Sequence, residues 1–258
     1  LEYVTLLMAG AVSGLVAGMA GLGGGTVIVP VIVAIYGPGA LHDAIVVSWF
    51  AVFCNSAAAV HQQWLVRTPE ERAALVETSR HFLVGVLAAT PVVAWLVAGA
   101  RQNISPALVG FLQLTLAAAI LWPRKEASEP RILSRSVDTG WGALVGAAST
   151  AIGIGGGAYT TVYMLHGPRK ALRDALAAAN VTGVAVGGLS ILGFVACVVV
   201  AGPGEPGPLR AGGMALMLGA GVVCSAIGVR LARRMRVDWL KRIVVLVLVV
   251  AAVRLLWT

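Results

Sequence analysis

Two long apolar stretches, residues 3–36 and 137–166, are each interrupted near the middle by glycines. The interruptions read Gly21-Leu22-Gly23-Gly24-Gly25 and Gly153-Ile154-Gly155-Gly156-Gly157. A glycine costs about 1 kcal/mol against alanine inside a helix, so three in a row unwind it. The chain therefore has to place irregular backbone twice inside apolar helical regions, which confines it to folds that can shelter such breaks.

The surroundings identify the solvent. Of 258 residues, 59% are hydrophobic and 12% are charged. An average soluble domain carries about 25% charged residues. A chain this apolar cannot cover a water-facing surface, and the reading is an all-α polytopic membrane protein. A spanning helix needs about 20 predominantly apolar residues. Residues 42–62, 80–99, 104–122, 175–200, 210–231 and 239–257 meet that requirement. The first apolar run has no basic segment before it and is expected to remain in the membrane.

The breaks belong to a repeat. Gly10-Ala11-x-x-Gly14 precedes the first and Gly142-Ala143-x-x-Gly146 the second. Gly37-Pro38 is echoed by Gly167-Pro168, and Asp43-Ala44 by Asp174-Ala175. The expected organisation is an N-terminal membrane repeat over 1–122, a cytoplasmic linker over 123–136 and a C-terminal repeat over 137–258.

Charge placement orients the repeats. If each broken region crossed the membrane once, the 19 Lys and Arg would divide almost evenly between the two faces. If each turns back at its glycines, 16 of the 19 fall in loops on one face (63–80, 123–136, 166–173 and 230–242), and Arg101, Arg210 and Arg254 fall on the other. Cytoplasmic loops carry an excess of Lys and Arg, so the second arrangement is expected. Each repeat is then a Gly-broken, re-entrant helical hairpin plus three transmembrane helices. The odd number of crossings gives the two repeats inverted topology. The predicted location is the cell membrane, with both termini outside. The net charge of +8 is absorbed by this topology signal, and nucleic acid is not an expected partner.

Hairpins entering from opposite faces bring their tips together, and irregular backbone at membrane depth persists only where it is buried or lines a cavity. The second arm of each hairpin starts at its glycines and so presents free N–H groups and the positive end of a helix dipole. Gly23, Gly24, Gly25 and Thr26, facing Gly155, Gly156, Gly157 and Ala158, would make an anion site without a buried cation. The competing reading is that the glycines only permit close helix packing. A dinucleotide site is excluded, because the last glycine of G-x-G-x-x-G and its βαβ setting are both missing.

With G-A-x-x-G ahead of G-x-G-G-G, Pro30 soon after, a second copy in the C-terminal half and His61 near the end of the second long helix, the chain resembles the sulfite exporter TauE/SafE family. The resemblance spans essentially the whole sequence. It implies a secondary transporter for sulfite, sulfonates or other sulfur-containing or organic anions, working by alternating access. It also implies small hydroxyl residues in the helix after each hairpin; here those regions read Val47-Ser48-Trp49 and Ala179-Asn180-Val181-Thr182. An anion channel on the same scaffold and a non-transporting membrane scaffold are the alternatives.

Ser48, Asn55, Asn180 and Thr182 are polar residues within spans. They either complete the wall of the anion site or hydrogen-bond between helices. His61, as a histidine, suits coupling to protons or another ion, or gating; its bland role is interfacial. Asp43 and Asp174 are expected as helix caps. Trp64, Trp95, Trp122, Trp141 and Trp257 lie near segment ends as interfacial anchors. No nucleophile–base pair, metal-ligand spacing or C-x-x-C occurs, so no enzyme activity, cofactor or metal is expected. The partners are a small anionic substrate and the lipid bilayer.

Overall fold

The computed structural model describes residues 2–100, 105–122, 133–202 and 211–257. Most of the expected linker, residues 123–132, lies outside them, as do Arg101 and Arg210. The described residues form helices and no strand: α1 (Glu2–Ala20), α2 (Gly25–Tyr36), α3 (Leu41–Val66), α4 (Pro69–Ala100), α5 (Pro106–Leu121), α6 (Arg135–Ile152), α7 (Gly157–His166), α8 (Leu172–Ala201), α9 (Ala211–Arg234) and α10 (Val237–Leu256). A short 3-10 turn, Pro38–Ala40, leads into α3.

Both helix breaks fall at the glycine clusters. α1 stops at Ala20 and α2 starts at Gly25; α6 stops at Ile152 and α7 starts at Gly157. Gly21, Gly23, Gly24, Gly153 and Gly155 have φ between 65° and 88°, a region that side-chain-bearing residues rarely enter. The second arms have 12 and 10 residues. At 1.5 Å per residue they reach about 18 and 15 Å, short of a bilayer core of about 30 Å.

Among the described helices, α1, α3 with its preceding turn, α4, α8 and α9 are long and apolar enough to cross a membrane. α5 is apolar but has 16 residues. α10 has 20 residues and includes Lys241, Arg242 and Arg254. Large apolar side chains such as Phe111, Leu144, Val195 and Leu246 point outward, as a lipid-facing surface requires. Trp64, Trp95, Trp122, Trp141 and Trp257 are all exposed, whereas Trp49 is buried.

Two expected loops are shorter than their charge suggested. Residues 63–80 are helical except at the α3–α4 junction, and 230–242 except near Met235 and Arg236. The first difference has a local cause. Thr68 and Glu71 form a capping box, with the Thr68 N–H donating to Glu71 Oε2 at 3.0 Å and the Glu71 N–H to Thr68 Oγ1 at 3.3 Å. Pro69 occupies the first helical position, where its missing N–H is harmless. Asp43 and Asp174 do not cap. The cap positions are Ala40 and Ala171, and both carboxylates sit within the first turn, where they still complement the helix dipole.

Helices pair mainly across the two sequence halves: α1 with α9, α4 with α6, α4 with α8, α3 with α8, α3 with α9 and α5 with α10. Small residues set these contacts. Gly10, Gly14 and Gly18 of α1 lie against the backbone of Met217, Gly221 and Ser225 in α9. Gly142 and Gly146 of α6 meet Phe82 and Val86 of α4. The G-A-x-x-G motif of each half is thus a packing face, which lets backbones approach where lipid offers no hydrophobic drive for association. A methyl at Gly14 would lie 2.0 Å from the Gly221 carbonyl oxygen, whereas Gly219, on α9 itself, has nothing within 4 Å. Gly14→Ala should therefore lower the thermal midpoint of the detergent-purified protein, by about 1–3 kcal/mol of overpacking. Gly219→Ala should hold or raise it, by roughly 0.5–1 kcal/mol of helix propensity. Equal midpoints would refute this packing account.

Candidate functional site

The two glycine breaks touch each other. A methyl on Gly25 would lie 2.2 Å from the Gly153 carbonyl oxygen, and one on Gly157 would lie 1.7 Å from that of Gly21. The contact is backbone on backbone and reciprocal, so each second arm begins against the other break. Gly23 and Gly155 both face the Val52 side chain of α3, which is buried between them. Ala158 packs with Leu22, Val16 and Ala20. Thr26, one residue into α2, is fully buried and its hydroxyl has no hydrogen-bond partner among the described residues.

The four polar span residues divide by role. Ser48 Oγ lies 2.6 Å from the Ile45 carbonyl and 2.7 Å from that of Gly153, so its hydroxyl ties α3 to the second break. Thr182 donates to the Ala178 carbonyl at 3.0 Å and turns its methyl toward Gly156. Asn55 Nδ2 donates to Ser13 Oγ at 3.0 Å, Ser13 donates to the Gly24 carbonyl at 3.1 Å, and Ser225 donates to the Asn55 carbonyl at 2.7 Å. This chain fastens the first break to α1, α3 and α9, and leaves Asn55 Oδ1 without a donor. Asn180 differs from the other three: it is fully buried, and neither its amide nitrogen nor its oxygen has a partner among the described residues.

Ser56 completes the neighbourhood. It is fully buried with an unpartnered hydroxyl, 2.3 Å from where a methyl on Gly183 would sit and 3.6 Å from one on Gly23. Gly183 and Asn180 are three residues apart on α8 and share a face. Thr26, Ser56 and Asn180 are buried donors that also lack partners. Such groups cost about 1–3 kcal/mol each; Ser79, Thr90, Gln113, Ser149 and Thr161 share that state, so it is the position of Thr26, Ser56 and Asn180 near the breaks that sets them apart. Ser13, Val52 and Ser56 were not singled out from the sequence. A small polar residue in an apolar helix is too common a signal to separate them from ordinary packing residues. His61 is exposed on α3, apart from the buried break residues.

A cavity of about 220 Å³ opens among the helix ends that carry Arg67, Arg173 and Arg233. Gly18 and Met19 in the last turn of α1, together with Leu176 of α8, form its inner wall. The Leu176 carbonyl oxygen lies 2.6 Å from where a methyl on Gly21 would be, and Asn180 is one helical turn beyond Leu176. The cavity thus shares Leu176 with the surroundings of the first break.

The first half carries a bulky side chain at the sequence position analogous to Asn180. Trp49 stands six residues after Asp43, as Asn180 stands six after Asp174. Its indole is buried, donates to the Thr150 carbonyl at 3.1 Å, and packs in a cluster containing Ile45, Ala94, Val97 and Ile152. Asn180 thus stands one turn from a cavity-lining residue, whereas Trp49 is packed in an apolar cluster.

Among the described residues, no group of three or more His, Cys, Asp or Glu could hold a metal ion. A family model described as Sulfite exporter TauE/SafE matches residues 6–255. No curated protein and no solved structure matches the chain.

Proposed function

The chain belongs to the sulfite exporter TauE/SafE family of membrane transporters, and we propose that it carries a small sulfur-containing anion, sulfite or an organosulfonate, by alternating access. The anion binds at the paired breaks, beside the contacts of Gly25 with Gly153 and of Gly157 with Gly21. There the N-termini of α2 and α7 supply N–H groups and positive dipole ends, and the Thr26 and Ser56 hydroxyls and the Asn180 amide supply further donors. The observation that carries this reading is the set of buried, unpartnered donors around two mutually touching glycine breaks. Gly23, Gly24, Gly155, Gly156 and Ala158 shape the backbone of the site. Ser48, Asn55 and Thr182 hold its walls, and His61 is left to coupling or gating at the surface.

The exchange of helix partners supports a two-fold repeat, whose inversion rests on the charge distribution. α1 on α9 answers to α6 on α4, α3 on α9 answers to α8 on α4, and α3–α8 and α5–α10 answer to themselves. Midplane sites between such repeats, built from broken helices, recur in secondary transporters. The one-sided cavity fits a state open toward the basic face, with Trp49 closing the other. Outward opening then requires the Ile45–Trp49–Val97 cluster to part while the α3–α8 neighbourhood of Leu176 closes. The basic face is cytoplasmic by the charge rule.

Sulfite flux into proteoliposomes tests the transport reading. It should saturate, should accelerate when sulfite is present on the far side, and should fall to background in Gly156→Val. That residue has an ordinary helical φ of −54°, and the three atoms nearest a methyl there belong to the side chains of Thr182 and Val186. The variant should fold while its side chain fills the site. Undiminished flux in Gly156→Val would remove the break site, and flux without far-side acceleration would indicate a channel.

A further inference from the structure

We propose that the cavity on the basic face is a second anion site, which loads a small oxyanion before it reaches the glycine breaks, and that Asp174 is a built-in competitor for it. Three arginines line this cavity: Arg67, which follows α3, Arg173 of α8 and Arg233 of α9. Two carboxylates line it, Glu71 and Asp174. Glu71 accepts the Thr68 N–H at 3.0 Å through Oε2 in the capping box and keeps its charge, so three cations face two carboxylates, and of these Asp174 is the one paired with a cavity arginine.

Its hold is weak. Arg67 Nη2 approaches Asp174 Oδ1 through one contact of 3.4 Å, with the Asp174 side chain 54% exposed and that of Arg67 17% exposed. A strong guanidinium–carboxylate pair is bidentate, at about 2.7–2.9 Å. Arg67 is thus a largely buried, permanently charged group paired by a half-exposed carboxylate that an incoming oxyanion can displace. Arg173 donates to the Met235 carbonyl at 3.2 Å, which leaves most of its five donors available. Arg173 and Arg233 make no ion pair with a described residue. Planar forks of this kind match the oxygens of sulfite, sulfonate or phosphate groups. The inner wall at Gly18 and Leu176 abuts the first break, so an anion held here lies on the way to it.

The loading role rests on the transport reading, but binding in the cavity does not, and Gly156→Val separates the two. Titration calorimetry of the full-length protein in detergent, with sodium sulfite as the probe, should detect binding to Gly156→Val. Adding Arg233→Gln or Arg173→Gln should weaken that binding about two- to fivefold, the scale of one partly exposed charge contact. Adding Asp174→Asn should strengthen it by a similar factor, because it frees Arg67 while keeping the side-chain volume. Opposite shifts from removing a cation and removing an anion are what a merely structural role for these residues would not produce. A Gly156→Val protein that binds no sulfite would overturn the cavity site and leave the break site standing. Shifts of the same sign from Arg233→Gln and Asp174→Asn would also overturn it. A final arm repeats the titration in phosphatidylcholine nanodiscs with and without phosphatidylglycerol. Unchanged sulfite binding is expected; loss of binding with phosphatidylglycerol would give the cavity to a lipid headgroup and overturn the loading role.

Discussion

Asn180→Leu is expected to leave the protein as stable as before, or more stable, and to abolish sulfite flux. Asn180 is fully buried on α8 and both polar atoms of its amide lack partners. Leucine has nearly the same shape and nothing to satisfy. Relieving a buried unpaired amide is worth about 1–3 kcal/mol, so the thermal midpoint in detergent should hold or rise. On the proposed site, transport should fail, because the anion would lose a buried donor one helical turn from the cavity-lining Leu176. A gain in stability with a loss of activity is the signature of a polar group kept for a ligand. The opposite result, a lower midpoint with flux retained, would make Asn180 a packing residue and return the anion site to the backbone alone. Trp49, its counterpart in the first half, should behave in the opposite way. Its indole is bonded and packed, so truncating it lowers stability first.

Gly157→Ala and Gly156→Ala, adjacent substitutions of one kind, should differ sharply. A methyl on Gly157 would lie 1.7 Å from the Gly21 carbonyl oxygen, 2.7 Å from its carbon and 3.0 Å from Leu22 Cα. All three are backbone atoms, and the break opposite is held by its own positive-φ glycines, so the two breaks have to separate. Overpacking of this kind typically costs about 1–3 kcal/mol and occasionally more; backbone against backbone belongs at the upper end. Gly157→Ala should yield little folded protein and no flux. On Gly156 the nearest atom is the Thr182 methyl, at 2.7 Å. That side chain can turn at the expense of its hydrogen bond to Ala178, a cost of about 0.5–1.5 kcal/mol. Gly156→Ala should therefore fold and bind sulfite. Recovery of folded protein, followed by the midpoint, ranks the two; equal behaviour would mean that the breaks are not in direct contact.

Much of the local structure was legible without coordinates. Three neighbouring glycines cannot continue a helix, and both breaks fall where the glycines stand. Apolar runs of sufficient length became helices, and the short arms after each break were visible as short. The capping box Thr68-Pro69-Glu70-Glu71 was also there to be read, but the positive charge around it drew the eye to a loop. Charge reports which face a segment lies on, and a helix can carry it as well as a loop can.

What the sequence determined by itself is the class, the breaks and the pairing of one half's motifs with the other's, because these depend on hydropathy, glycine content and spacing along the chain. Only the tertiary structure decided that α1 packs on α9 and α6 on α4, that Ser48 is bonded to Gly153 while Asn180 is left unpaired, and that Arg67, Arg173 and Arg233 share one cavity. In a soluble helix the apolar stripe marks the buried face. Here the lipid-facing and protein-facing sides are both apolar, so hydropathy is silent about partners. The choice falls to close-range fit, a glycine against a carbonyl or a hydroxyl against a break, and that fit exists only once two distant helices have met.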